Sequence, residues 1–135
     1  MGGFVGVSKF EGGIPTVLVV EDSGDTRAVI RLELERWGYR VIEASNGREA
    51  LEIIEGFCPD LILLDLNMPE VDGLTAAQTI RRYDERCAGV PIIAVTAYDT
   101  FGIEEAAREA GCDAYIRKPL DMPQLEKTVS GLLYG

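Results

Sequence analysis

The sequence predicts a doubly wound (βα)5 α/β fold, a five-stranded parallel sheet with helices on both faces. Two observations predict it. Short aliphatic runs alternate with helical patterns five times over, and the runs are apolar throughout rather than at every second residue, as strands covered on both faces must be. A chain of 135 residues, 47% hydrophobic and 27% charged, holds enough apolar material for one core and one domain.

The elements follow in order. Residues 1–15, MGGFVGVSKFEGGIP, are glycine-rich and aperiodic and read as a flexible N-terminal arm ahead of a domain spanning 16–135. TVLVV (16–20), YRVIE (39–43), DLILLD (60–65), PIIAVT (91–96) and AYIRK (114–118) are β-branched or aliphatic runs of strand length. Helical patterns lie between them at 25–38, 47–56, 73–85 and 100–111, and MPQLEKTVSGLLYG closes the chain with Leu125, Val129, Leu132 and Leu133 on one stripe. Gly38, Gly56 and Gly111 stand where a helix ends on a left-handed residue. Right-handed crossovers between successive strands then make the sheet parallel.

Composition removes whole classes of function. A formal charge of −10 denies the chain the basic face that a nucleic-acid backbone requires, so its partners are proteins or cations. The absence of histidine removes Ser-His and Cys-His catalysis, imidazole metal ligation and phosphohistidine chemistry together. Cys58, Cys87 and Cys112 are odd in number and widely spaced, which signals neither a disulfide framework nor a zinc site, and they read as idle thiols in a reducing cytoplasm. No apolar stretch approaches the roughly 18 residues of a membrane span, and no signal-peptide pattern opens the chain.

In a sheet of this kind, ligands collect at the carboxyl ends of the strands, near the point where strand order reverses. Those ends are polar here: Glu21 and Asp22 follow the first run, Asp65 closes the third, Thr96 the fourth and Lys118 the fifth. Taken singly, each has an ordinary explanation as a helix cap, a turn residue or a solvated charge. Together they gather three carboxylates, a hydroxyl and an amine on one rim. Clustered carboxylates repel unless a cation lies among them, and an all-oxygen donor set suits magnesium.

The segments VLVVEDSGDTR, DLILLDLNMPEVDG, PIIAVTA and AYIRKPL, in this order and at these separations, resemble the receiver domain of two-component response regulators, of the chemotaxis-regulator-like, stand-alone kind with a flavodoxin-like fold. The resemblance runs from about residue 16 to the C-terminus. It implies a phosphorylation-activated switch, not an enzyme acting on other substrates, in which Asp65 accepts a phosphoryl group from a histidine kinase or phosphotransfer protein with Mg2+. By the same resemblance Glu21, Asp22, Asp65 and the Asn67 backbone carbonyl hold the metal, while Thr96 and Lys118 contact the phosphoryl oxygens. Thr96 and Tyr115 form the switch, Pro69 and Gly73 fit the turn after the phosphorylated strand, and the bond before Pro119 is cis. X-Pro bonds are cis only about 5–6% of the time, so that expectation has content. Output to a downstream effector is expected through the surface of the fourth helix, fifth strand and fifth helix, with Tyr98 and Phe101 as candidate contacts. Tyr98 is also expected to shield an acyl phosphate from water.

Two rival classes share parts of this pattern. A flavin-binding protein would present a Gly/Ser/Thr-rich phosphate loop, whereas EDSGDTR offers anions first. An aspartyl-phosphate hydrolase needs a second carboxyl beside the nucleophile, and Asn67 occupies the nearest position. An alternative within the family is a receiver domain excised from a larger regulator with a separate output domain.

Overall fold

A computed structural model describes residues 13–68, 71–83, 85, 87–97 and 101–135. The chain runs β1 (Thr16–Val20), α1 (Gly24–Arg36), β2 (Arg40–Ala44), α2 (Gly47–Gly56), β3 (Leu61–Asp65), α3 (Gly73–Tyr83), β4 (Ile92–Thr96), α4 (Ile103–Glu109), β5 (Ala114–Arg117) and α5 (Met122–Tyr134). The strands form one parallel sheet in the order β2-β1-β3-β4-β5. Strand order therefore reverses between β1 and β3, which opens a crevice at their carboxyl ends.

Alternation along the strands divides the core in two. Val17, Val19, Leu61, Leu63, Ile93, Val95 and Ile116 meet Ile30 and Leu34 of α1 and Leu125, Val129 and Leu133 of α5 on one face. Leu18, Val20, Ile62, Leu64 and Ile92 meet Ala50 and Ile54 of α2 and Ala76, Ala77 and Ile80 of α3 on the other. Ala107 of α4 covers Ala94 and Leu66 beyond them. β1, β3 and β4 are buried along their whole length, whereas the edge strands β2 and β5 are not, so the continuous apolar run is confined to the middle of the sheet.

Most helix starts are capped by side chains. Ser23, Asn46, Asp72 and Asp121 accept from the amides of Thr26, Glu49, Thr75 and Gln124. α4 is shorter than its sequence pattern because Gly102 at its start is left-handed, with φ of 85°, and supplies no side-chain cap. Gly38 and Gly111 end their helices at φ of 98° and 104°, as expected, but Gly56 does not: it is the last helical residue, and Phe57 leaves α2 in extended conformation at φ of −157°.

The lower rim, at the amino ends of the strands, is densely tied. Asp60 accepts from the Thr16 amide at 2.8 Å and Asp113 from the Ile92 amide at 2.9 Å. Arg81, at the end of α3, donates to the carbonyls of Ala88, Val90 and Gly111 and to the Asp113 carboxylate, engaging all of its N–H groups. The expectation of idle thiols fails here for two of the three cysteines: Cys58, ahead of β3, and Cys87, ahead of β4, form a disulfide with their Cα atoms 5.6 Å apart. The fold brings the two loops to one rim although 29 positions separate them. Closing a ring of that size constrains the unfolded chain by roughly 3–4 kcal/mol in the loop-entropy account. Cys112 remains free.

On the upper rim, Gly73 opens α3 against the backbone at the end of β3. A Cβ there would lie 2.6 Å from both the Asp65 carbonyl oxygen and Leu66 Cα. Gly73→Ala must therefore move backbone, and a loss of roughly 2–3 kcal/mol in urea unfolding is expected, with displaced Asp65 and Leu66 amide resonances. An unshifted spectrum and unchanged midpoint would show that the helix can retreat without cost.

Candidate functional site

The crevice between β1 and β3 gathers the acidic residues that the strand ends promised. Glu21, Asp22 and Asp65 each present a carboxylate oxygen, all within 4.8 Å of one another. Their surroundings differ: Glu21 and Asp65 are buried at 2% and 4% exposure, while Asp22 is exposed. Burial of two carboxylates requires positive charge or donated hydrogen bonds, and both are present.

Lys118 supplies the charge. It follows β5, beyond Thr96 on the neighbouring strand, and its amide donates to the Thr96 carbonyl at 2.8 Å, which sets the strand end in place. From there Nζ donates to Glu21 Oε1 at 2.9 Å and to Asp65 Oδ2 at 3.3 Å. The Lys118–Pro119 peptide bond is cis. Burial pushes the Glu21 carboxyl above its ordinary value and the Asp65 charge adds to this, against the opposing hydrogen bonds from Lys118 and the Ser23 amide. For Lys118, burial alone would favour the neutral amine, but the hydrogen bond to Glu21 and the charges of Asp65 and Glu21 outweigh it and raise the pKa.

Local backbone geometry completes the rim. The Asn67 amide donates to Asp65 Oδ1 at 2.9 Å, an Asx-type turn that aims the carboxylate back over the strand end. The Asn67 carboxamide donates to Thr96 Oγ1 at 2.6 Å, and Thr96 is fully buried. Arg27 donates to the Glu21 carbonyl at 2.8 Å and pairs with Glu43, tying α1 and β2 to the end of β1. Tyr115 stands on β5 opposite Ala94 and packs with Leu66, Ala94 and Ala107, next to the crevice rather than in it. Pro69 and Tyr98 lie outside the described residues, as does any shielding by the Tyr98 ring.

Three partners of the site were not legible beforehand. Lys118 was expected on the same rim as Glu21, as a phosphoryl contact, but its direct bond to Glu21, 97 positions away, was not. The Asn67 carboxamide has its own contact, beyond the backbone carbonyl that the family pattern uses. Arg27 lies four residues after the N-cap, and nothing local ties it to the end of β1; Arg31, one turn later, also reaches Glu43.

The donor set fits a hard divalent cation. Among the described residues three carboxylates converge with no thiolate or imidazole beside them, and against them the Lys118 ammonium leaves net negative charge.

These features define the class of protein. Residues 17–130 match the response regulator receiver domain family, and the chain belongs to it, placing it in two-component signalling. Among individual relatives, the polar-differentiation response regulator DivK of Brucella anthropi is 40% identical over 118 residues, covering 87% of this chain and 95% of that protein. A putative response regulator from Chloroflexus aurantiacus superposes with a TM-score of 0.85 at 30% identity, over 90% of this chain and 99% of that one. The receiver domain of a sensor histidine kinase from Pseudomonas aeruginosa, with a magnesium ion coordinated in its active site cleft, gives 0.83 at 33% identity over 90% and 99%. The parallel five-stranded fold with order 2-1-3-4-5 is thus shared with solved receivers. Among the described residues no helix is long and apolar enough to cross a membrane.

Proposed function

We propose that this chain is a phosphorylation-driven switch whose acceptor is Asp65. The observation that carries the reading is the position of that carboxylate: buried at the end of β3, beside Glu21 and Asp22, and 3.3 Å from the Lys118 ammonium. An Asp65 oxygen attacks the phosphorus of a phosphohistidine on a partner kinase or phosphotransfer protein. The new P–O bond forms as the P–N bond breaks, and the imidazole leaves with a proton. Glu21, Asp22, Asp65 and the Asn67 carbonyl would hold Mg2+, which when bound offsets negative charge on the phosphoryl oxygens. Lys118 neutralises one oxygen from the opposite side, and the Thr96 hydroxyl, released from Asn67, receives another. Tyr115, two residues before the Arg117 that pairs with Thr96, moves with Thr96 as the switch.

The output surface lies beside that rim. A groove of about 650 Å3 runs between α4 and β5, lined by Phe101, Ile103, Arg108, Tyr115 and Arg117, and Phe101 is fully exposed at its mouth. Such a face suits a protein effector, and the charge of −10 disfavours direct nucleic-acid contact. The reading places the chain in the cytoplasm, where such phosphotransfer operates.

The test is intact-mass analysis after incubation with acetyl phosphate and magnesium. Wild type should gain one phosphoryl group and Asp65→Asn none; equal labelling of the variant would remove Asp65 from the role.

A further inference from the structure

The cysteines of the lower rim take no part in the chemistry above, yet their placement is that of a reactive pair. We propose that Cys58 and Cys87 form a reversible modification site, a dithiol that exchanges with a low-molecular-weight thiol/disulfide couple of the glutathione type and, when oxidised, ties the entry of β3 to the entry of β4.

The backbones on both sides are held by bonds that do not involve sulfur. The Asp60 amide donates to the Thr16 carbonyl at 2.8 Å and the Ile62 amide to the Pro91 carbonyl at 2.9 Å, while Arg81 of α3 donates to the carbonyls of Ala88 and Val90 at 2.8 and 2.7 Å. The two sulfurs therefore stay adjacent after reduction, and re-oxidation needs no unfolding. Reduction also leaves the outer sulfur a partner, because Cys58 Sγ lies 3.5 Å from the Pro59 carbonyl oxygen, an acceptor for a thiol.

Access is one-sided. Cys87 is fully buried, whereas Cys58 is partly exposed. An incoming thiolate reaches Cys58, forms a mixed disulfide there and expels Cys87, which takes up a proton. A second thiolate attacks the sulfur of the bound small molecule, releasing the Cys58 thiol and one small-molecule disulfide. Two small thiols are oxidised as one protein disulfide is reduced, and the reverse sequence restores the bond.

The third thiol does not compete. Cys112 packs at the edge of the same apolar cluster, where burial raises its pKa to about 11, so it stays protonated and a poor nucleophile. In a reducing compartment, disulfides are rare and those present are transient or redox-sensing, which favours a responsive pair over a permanent one.

The experiment equilibrates the native full chain across a series of reduced-to-oxidised glutathione ratios, starting from both the oxidised and the reduced protein. Samples are quenched in acid, denatured and alkylated with N-ethylmaleimide for intact-mass and peptide analysis. A single reversible transition is expected, with the same midpoint from both directions, between a form carrying one maleimide at Cys112 and a form carrying three. Cys87→Ser should accumulate glutathione on Cys58, and Cys58→Ser should accumulate none on Cys87. The urea midpoint of the oxidised form should lie more than about 1 M above that of the reduced form. Three maleimides at every ratio would overturn the pair, and one maleimide throughout, even in excess reduced glutathione, would overturn its reversibility. If a serine variant does not fold, the wild-type titration alone decides.

Discussion

Lys118→Met destabilises the metal-free protein by about 3 kcal/mol at neutral pH, the lower end of the cost of breaking a buried ion pair, since the lysine side chain itself is 23% exposed. Methionine keeps the aliphatic stem and removes the ammonium, so the loss reports the charge. Without it, Glu21 and Asp65 face one another while buried and without a cation. The pH dependence has a definite sign. Glu21 already titrates above the ordinary 4.5 in the folded chain, so the folded state holds its proton more tightly and stability falls as pH rises through that window. Removing Lys118 takes away a hydrogen bond and a charge that oppose this shift, which widens the window upward. The gap between variant and wild type is therefore largest at neutral pH and narrows toward pH 4.5. Millimolar magnesium should recover part of the loss. Urea melts at several pH values measure it, and a pH-independent loss below about 0.5 kcal/mol would show that Lys118 acts as a solvated surface charge.

The second large effect is a reversal of rank. Asp22 is the exposed member of the acidic cluster and lies outside the Lys118 bridge, so Asp22→Asn relieves repulsion without exposing a buried partner. In EDTA the variant should be slightly more stable than wild type. Magnesium should invert the order, because an ion bound only by the folded state adds RT ln(1 + [L]/Kd), about 2.7 kcal/mol at a hundredfold excess over Kd, and the variant lacks one ligand. Were Asp22 merely part of the α1 cap, asparagine would serve equally well; the cap is in fact made by Ser23. Parallel melts unaffected by metal would remove magnesium from the site.

Fold and site were legible in the sequence to the extent that their signals are local. β1 and α2 have the bounds expected of them, because an uninterrupted aliphatic run marks Thr16–Val20 and Asn46 caps the start of α2. The carboxylates could be found because each stands where a strand ends. What escaped depends on which loops share a rim. Cys58 meets Cys87 only after β3 and β4 pair, and the direct Glu21–Lys118 bond forms only once β3 and β4 lie between β1 and β5. Gly56 misled because a C-terminal glycine permits a left-handed turn without requiring one, and here the chain leaves α2 through Phe57 in extended conformation instead.

The strand order also governs how fast such a chain can find its structure. Among the described residues no two neighbouring strands are joined by a hairpin: the register pairs Val17 with Leu61 and Ile62 with Ile92, so a helix or more of chain must be looped before either pairing exists. Each loop costs entropy before the buried aliphatics return any free energy, and the central pair β1–β3, enclosing α1, β2 and α2, costs most. Folding is accordingly governed by topology rather than by helix propensity. The β1–β3 seam, whose carboxyl ends carry Glu21 and Asp65, bears the largest of these loop costs, so the acidic crevice is assembled across the costliest pairing of the sheet.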